Sequence, residues 1–87
     1  MNEVTIYTAA GCAYCVRAEQ LLQRKGVQRL NKVRVDLDPA AMEQMVKLSG
    51  RRTVPQIFIG AYHVGGSDEL HAMERQGRLD SQLARQP

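Results

Sequence analysis

Residues 4–37 constrain the fold most, because strand, helix and strand periodicities follow one another there without a gap. Val4-Thr5-Ile6-Tyr7-Thr8 is rich in β-branched and aromatic residues and stops at Ala9-Ala10-Gly11, so it reads as a first strand. From about Ala13 to Lys25, good helix formers put Cys15, Ala18, Leu21 and Leu22 on one face, and Gly26 supplies a stop. Lys32-Val33-Arg34-Val35-Asp36-Leu37 then alternates polar and apolar, the period of a strand with one wet face, which belongs at or near a sheet edge. Two strands joined by a crossover helix are parallel and right-handed. Downstream, Asp38 caps and Pro39 opens a second helix whose stripe of Met42, Met45 and Val46 ends at Ser49-Gly50. Gln56-Ile57-Phe58-Ile59 lacks alternation, as in a strand covered on both faces, and Gly60-Ala61 turns it into Tyr62-His63-Val64 as an antiparallel hairpin. Ser67 reads as the N-cap of a further helix with Asp68 and Glu69 in its first turn and Leu70 and Met73 on its buried face. A last helical turn around Leu79 and Leu83 is expected to fray into the polar tail. The expected architecture is α/β: a mixed four-stranded sheet, two parallel strands plus a hairpin, flanked by helices. With 87 residues there is room for one domain, residues 1–87.

The composition excludes several functions. Apolar residues make up 44% and charged residues 24%, which is globular rather than disordered. The formal charge of +3 is spread from Arg17 to Arg85 with no dense basic cluster, which argues against a nucleic-acid partner and suits a small anionic substrate. Apolar runs such as Ile57-Phe58-Ile59 fall far short of the ~20 residues of a membrane span. Met1-Asn2-Glu3 running directly into a strand is not a basic leader followed by an apolar segment, so a cytoplasmic protein is expected. The chain has only two cysteines, at Cys12 and Cys15, and a bond between them would close too small a loop to add much stability. A structural zinc ion needs four ligands, and the only histidines, His63 and His71, are not in a finger spacing. The cysteine pair is therefore chemical rather than structural.

Cys12-Ala13-Tyr14-Cys15 falls where the first strand gives way to the first helix. Cys12 meets the unpaired N–H groups and positive dipole end of that helix, both of which favour a negatively charged sulfur, so it is the expected nucleophile. Cys15 lies on the same face at roughly 5 to 6 Å, within disulfide reach, and can resolve a mixed disulfide.

Three motifs arrive in order: Tyr-Thr-x3-Cys-x-Tyr-Cys, the Arg-Thr-Val-Pro-Gln-Ile-Phe-Ile of residues 52–59, and Gly65-Gly66-Ser67-Asp68-Glu69-Leu70. Together they span most of residues 3–83, and the chain resembles a dithiol glutaredoxin of the short bacterial type. The resemblance implies a thioredoxin fold and an oxidoreductase that uses glutathione as co-substrate to reduce protein disulfides and glutathione mixed disulfides. It implies Cys12 as the thiol that takes up glutathione and Cys15 as the resolving thiol. Tyr14 would flank the glutathione and Thr53 would line its groove. Val54, held by a cis bond to Pro55, would pair its main chain with the glutathione cysteine, a form of β-augmentation. The amides of Gly66 and Ser67 would receive the γ-glutamyl carboxylate, and Asp68 the neighbouring ammonium. The expected working form is a monomer with glutathione and disulfide-bearing or glutathionylated proteins as partners, and with no nucleic acid or membrane.

Three positions depart from the family pattern. Ala13 replaces a frequent proline, and Ala9 replaces a frequent lysine, leaving Arg51 or Arg52 to meet the glycine carboxylate of glutathione. Ser67 stands where some relatives have a further cysteine. Ala13 keeps open an alternative in which Cys12 of two subunits and two glutathiones hold a [2Fe–2S] cluster. A thioredoxin-like donor served by a flavoprotein reductase is disfavoured by the absence of tryptophan and by the Thr53-Val54-Pro55 and Gly65–Asp68 segments. His63 and His71 are expected to be solvated rather than catalytic, and Met42, Met45 and Met73 to pack in the core.

Overall fold

The computed structural model describes residues 2–85. Its elements are β1 (Val4–Thr8), α1 (Ala13–Arg24), β2 (Leu30–Arg34), α2 (Pro39–Ser49), β3 (Gln56–Ile59), β4 (Tyr62–Gly65), α3 (Ser67–Arg75) and α4 (Leu79–Ala84). The strands form one sheet in the order β2-β1-β3-β4. β1 and β2 are parallel, with Val4 opposite Leu30 and Thr8 opposite Arg34, whereas β1–β3 and β3–β4 are antiparallel. This is the thioredoxin fold, with the alternating strand at the sheet edge as expected.

Strand alternation splits the core into two layers. Val4 and Ile6 of β1 and Ile57 and Ile59 of β3 face Ala18, Leu21 and Leu22 of α1, Leu70 and Met73 of α3, and Leu79 and Leu83 of α4. Tyr7 and Phe58 point the other way, onto Ala41 and Met45 of α2, with Met42 and Val54 packed at the margin. All four residues of β3 are buried, the expected result of having helices on both faces. The α4 helix is fastened as well as buried: Lys25 at the end of α1 pairs with Glu74 of α3 at 2.9 Å and with Asp80 of α4 at 2.8 Å. Residues 86 and 87 of the expected polar tail, like residue 1, lie outside the described residues.

Two expected boundaries are corrected. The second strand was expected over Lys32–Leu37 but runs from Leu30 to Arg34, and residues 35–37 form a turn. Val35 still donates its N–H to the Thr8 carbonyl at 3.0 Å. Asp36 then turns back to Arg34 and to the Ala10 amide, and Leu37 is left 72% exposed, so the alternation outlasts the strand that it marks. The N-cap of α3 is Gly66, with Ser67 as first helical residue, because the Glu69 carboxylate reaches back to accept the Gly66 N–H and the Ser67 side chain turns inward. No helix among the described residues is long and apolar enough to cross a membrane.

Candidate active site

Cys12 is the N-cap residue of α1, with extended backbone, and its Sγ accepts a hydrogen bond from the Cys15 amide at 3.1 Å. A sulfur in this position meets the donors that the first helical turn leaves unpaired. Cys12 is half-buried and Cys15 is 1% exposed; both thiols are free. Burial pushes the Cys15 thiol up from its ordinary range, and its hydrogen bond with Cys12 pushes it further. One sulfur is thus presented and the other held in reserve behind it.

The third wall comes from the chain between α2 and β3. The Val54–Pro55 peptide bond is cis, as expected, and the Val54 carbonyl accepts from the Cys12 Sγ–H at 3.9 Å. From there a shallow groove of about 190 Å³ runs toward the N-terminus of α3. Tyr14, Thr53, Val54 and Pro55 line one part of it, and Gly66, Ser67 and Asp68 the other, so the residues expected to contact glutathione are brought together on one side of Cys12. Tyr14 is 55% exposed, and the Arg17 guanidinium lies over its ring at 4.7 Å from the centroid. Asp68 is exposed and has no ion-pair partner among the described residues.

This arrangement agrees with the comparison to known proteins. Residues 4–64 match the family model described as Glutaredoxin. The chain belongs to the glutaredoxin family. It is 51% identical to a Pseudomonas aeruginosa glutaredoxin over 97% of this chain and 99% of that one. It superimposes on the crystal structure of a buckwheat glutaredoxin–glutathione complex with a TM-score of 0.84 at 30% identity, covering 94% of this chain and 76% of that one. A structure described as "Metal Binding of Glutaredoxins" matches with a TM-score of 0.72 at 52% identity, over 95% of this chain and 89% of that one. This glutaredoxin is a glutathione-dependent thiol–disulfide oxidoreductase working through the Cys12–Cys15 dithiol.

The structure also separates the two arginines. Arg51 lines the groove and pairs with Glu69 at 3.2 Å, whereas Arg52 lines a different depression along α2. Glu69 holds both the Gly66 amide and Arg51, and these partners keep its carboxyl below the usual range, the amide contributing most. Glu69 is the third helical residue, the position from which a glutamate reaches back to the N-cap amide, and reading Ser67 as the cap hid that signal. Gly65, just before the N-cap, has a φ of +114°, a backbone conformation that disfavours any side chain.

Neither histidine is merely solvated. His63 is half-buried, stacked on Phe58 at 4.8 Å between ring centroids, with Nε2 2.7 Å from Gln56 Oε1. His71 Nδ1 lies 2.8 Å from the Ser67 carbonyl and 3.3 Å from its hydroxyl. The His63–Gln56 bond crosses a strand pair and is invisible to spacing alone, whereas Ser67 and His71 stand one helical turn apart in α3.

Proposed function

We propose that this glutaredoxin holds glutathione in the groove beside Cys12 and reduces both glutathione mixed disulfides and protein disulfides. The observation that carries the assignment is the placing of the Val54 carbonyl 3.9 Å from Cys12 Sγ, at the end of a groove that leads to the α3 N-terminus. Val54 pairs its main chain with the glutathione cysteine, and Thr53, Pro55 and Tyr14 bound the same stretch. The Gly66 amide is taken by Glu69, so the amides of Ser67 and Asp68, at the first two helical positions, receive the γ-glutamyl carboxylate while Gly66 lines the groove beside them. The Asp68 carboxylate takes the ammonium.

On a glutathione mixed disulfide, the Cys12 thiolate attacks the glutathione sulfur, the Cys12–glutathione bond forms and the target thiolate leaves. A second glutathione thiolate then attacks the bound glutathione sulfur, releasing glutathione disulfide and returning the Cys12 thiolate. On a protein disulfide, Cys12 forms the mixed disulfide with the partner, and Cys15, once deprotonated, attacks the Cys12 sulfur, expelling the partner thiolate and leaving the Cys12–Cys15 disulfide. The groove lies within one chain, which favours a monomer, and glutathione-rich cytoplasm is the compartment that would keep the dithiol reduced.

Asp68→Ala tests the groove. It should raise the KM for a glutathione mixed disulfide with the thermal midpoint nearly unchanged, because it removes an exposed charge partner of the ligand. An unaltered KM would show that glutathione lies elsewhere.

A second reading, a glutathione-dependent [2Fe–2S] scaffold, draws on the 52%-identical structure described for metal binding and on Ala13 at the first helical position. Among the described residues no group of three His, Cys, Asp or Glu could hold a metal, and Cys15 is buried, so one chain offers a single accessible cysteine. The residues of one chain therefore do not complete a cluster site; a second subunit and two glutathiones must supply the rest. Anaerobic reconstitution with iron, sulfide and glutathione should give a coloured dimer that Ala13→Pro diminishes. A colourless monomer retires this reading.

A further inference from the structure

Among the described residues, those from 51 to 55 make no backbone–backbone hydrogen bond, although they include the Val54–Pro55 segment beside Cys12. Side chains hold this stretch instead. At one end Ser49 Oγ accepts from the Arg51 amide at 3.0 Å. At the other, Gln56 Nε2 donates to the Thr53 carbonyl at 3.0 Å and to Thr53 Oγ1 at 3.2 Å. Gln56 is 1% exposed on a strand whose other three residues are apolar, so its amide has no access to water and depends on these partners.

The hydrogen-bond chemistry of this cluster has one consistent assignment. The Thr53 carbonyl can only accept, so the Gln56 amide nitrogen must face it. Gln56 Oε1 then faces His63, and His63 Nε2 must carry a proton to donate across 2.7 Å. The imidazole is itself held by stacking on Phe58, which meets Tyr7 edge-on at 5.8 Å. A continuous path therefore runs from the core aromatics through His63 on β4 and Gln56 on β3 to the Thr53 main chain.

We infer that Gln56, oriented by His63, is a positioning residue that sets the Thr53–Val54 main chain in the shape that pairs with glutathione. This rests on the groove assignment above and adds a residue that touches no reacting atom. In the free protein, Gln56 pre-orders a segment that would otherwise be ordered only on binding, and the cost of that ordering would appear as weaker binding.

The test is steady-state kinetics on a glutathione mixed disulfide with Gln56→Met, His63→Phe and the double variant, each checked for folding by its thermal midpoint. Gln56→Met keeps the length of the side chain and removes both amide functions. His63→Phe keeps the stack on Phe58 and removes the donor. Gln56→Met should raise KM about tenfold, the scale of one lost hydrogen bond to a buried group, while kcat changes less than about twofold. His63→Phe should raise KM in the same direction by a smaller factor. The double variant should match Gln56→Met alone, because His63 acts only through Gln56. An unchanged KM in folded Gln56→Met overturns the inference, as do effects that multiply in the double variant. Should Gln56→Met fail to fold, His63→Phe decides alone: a raised KM with steady kcat supports the inference and an unchanged KM overturns it. Asp68→Ala run beside them separates the two levels. If it raises KM and Gln56→Met does not, only the positioning role fails; if neither does, the groove itself is misplaced.

Discussion

The Sγ of Cys12 accepts the main-chain N–H of Cys15 at 3.1 Å, so the nucleophilic sulfur is also the capping group of the helix that carries its resolving partner. Reactivity and helix stability therefore draw on the same atom, and they can be pulled apart by substitution. Cys12→Ser retains an oxygen that caps well, so its thermal midpoint should equal or exceed that of the parent. Cys12→Ala removes the acceptor and should cost about 0.5 to 2 kcal/mol in denaturant titrations, the usual range for a lost N-cap. Both should be inactive. Equal stability of the two variants would mean that the sulfur contributes nothing as a cap.

The same geometry makes the thiols unequal. Cys15 is buried and its ionisation is opposed first by desolvation and then by its hydrogen bond with Cys12. Iodoacetamide should label Cys12 well before the buried Cys15, read by peptide mass mapping. Cys15→Ser should still turn over glutathione mixed disulfides, since free glutathione can attack the Cys12 adduct. It should lose most reduction of protein disulfides, for which Cys15 must expel the partner. A Cys15→Ser protein inert toward a glutathionylated peptide would contradict this division of labour.

Asp36 ties the loop before Cys12 to the end of β2. Its Oδ2 accepts from the Ala10 amide at 3.2 Å while Arg34 grips both carboxylate oxygens at 2.8 and 2.7 Å. Arg34 first, and the Ala10 amide after it, keep this carboxyl well below the usual carboxylate range. Asp36→Ala should accelerate hydrogen exchange at the Ala10 amide, and Asp36→Asn, which can still accept, should accelerate it less. Identical exchange in all three proteins would show that the loop holds itself.

His63 should leave a mark on stability as pH falls. Burial, and after it the positive charge of Arg51, set its value below the ordinary 6.5. The unfolded chain then takes up the proton more readily than the folded one. The neutral form's advantage is fully present above the ordinary value and is lost progressively as pH drops through the lower folded value. Between about pH 7.5 and 5.5, the thermal midpoint should therefore fall further in the parent than in His63→Phe. Parallel curves would mean that the imidazole titrates alike in both states.

Much of this protein is written locally in its sequence. The strand of Val4–Thr8, the helix that opens at the cysteines, the Asp38-Pro39 start of α2 and the fully buried β3 each follow from alternation, capping or burial within a few residues, and the βα-strand order then admits one handedness. The position of Cys12 at a helix start belongs to the same class, since it needs only the boundary between one strand and the next helix. Tertiary structure alone decided where β2 stops, because that depends on Asp36 finding Ala10 across 26 residues of chain. It also decided that Arg51 rather than Arg52 faces the groove, and that Gln56 joins His63 to Thr53. The physical reason is the range of the forces involved. Backbone preference and side-chain periodicity act over one turn or one pleat, whereas a buried amide or carboxylate takes whichever donors and acceptors packing brings to it, and those come from residues that the chain order does not place side by side.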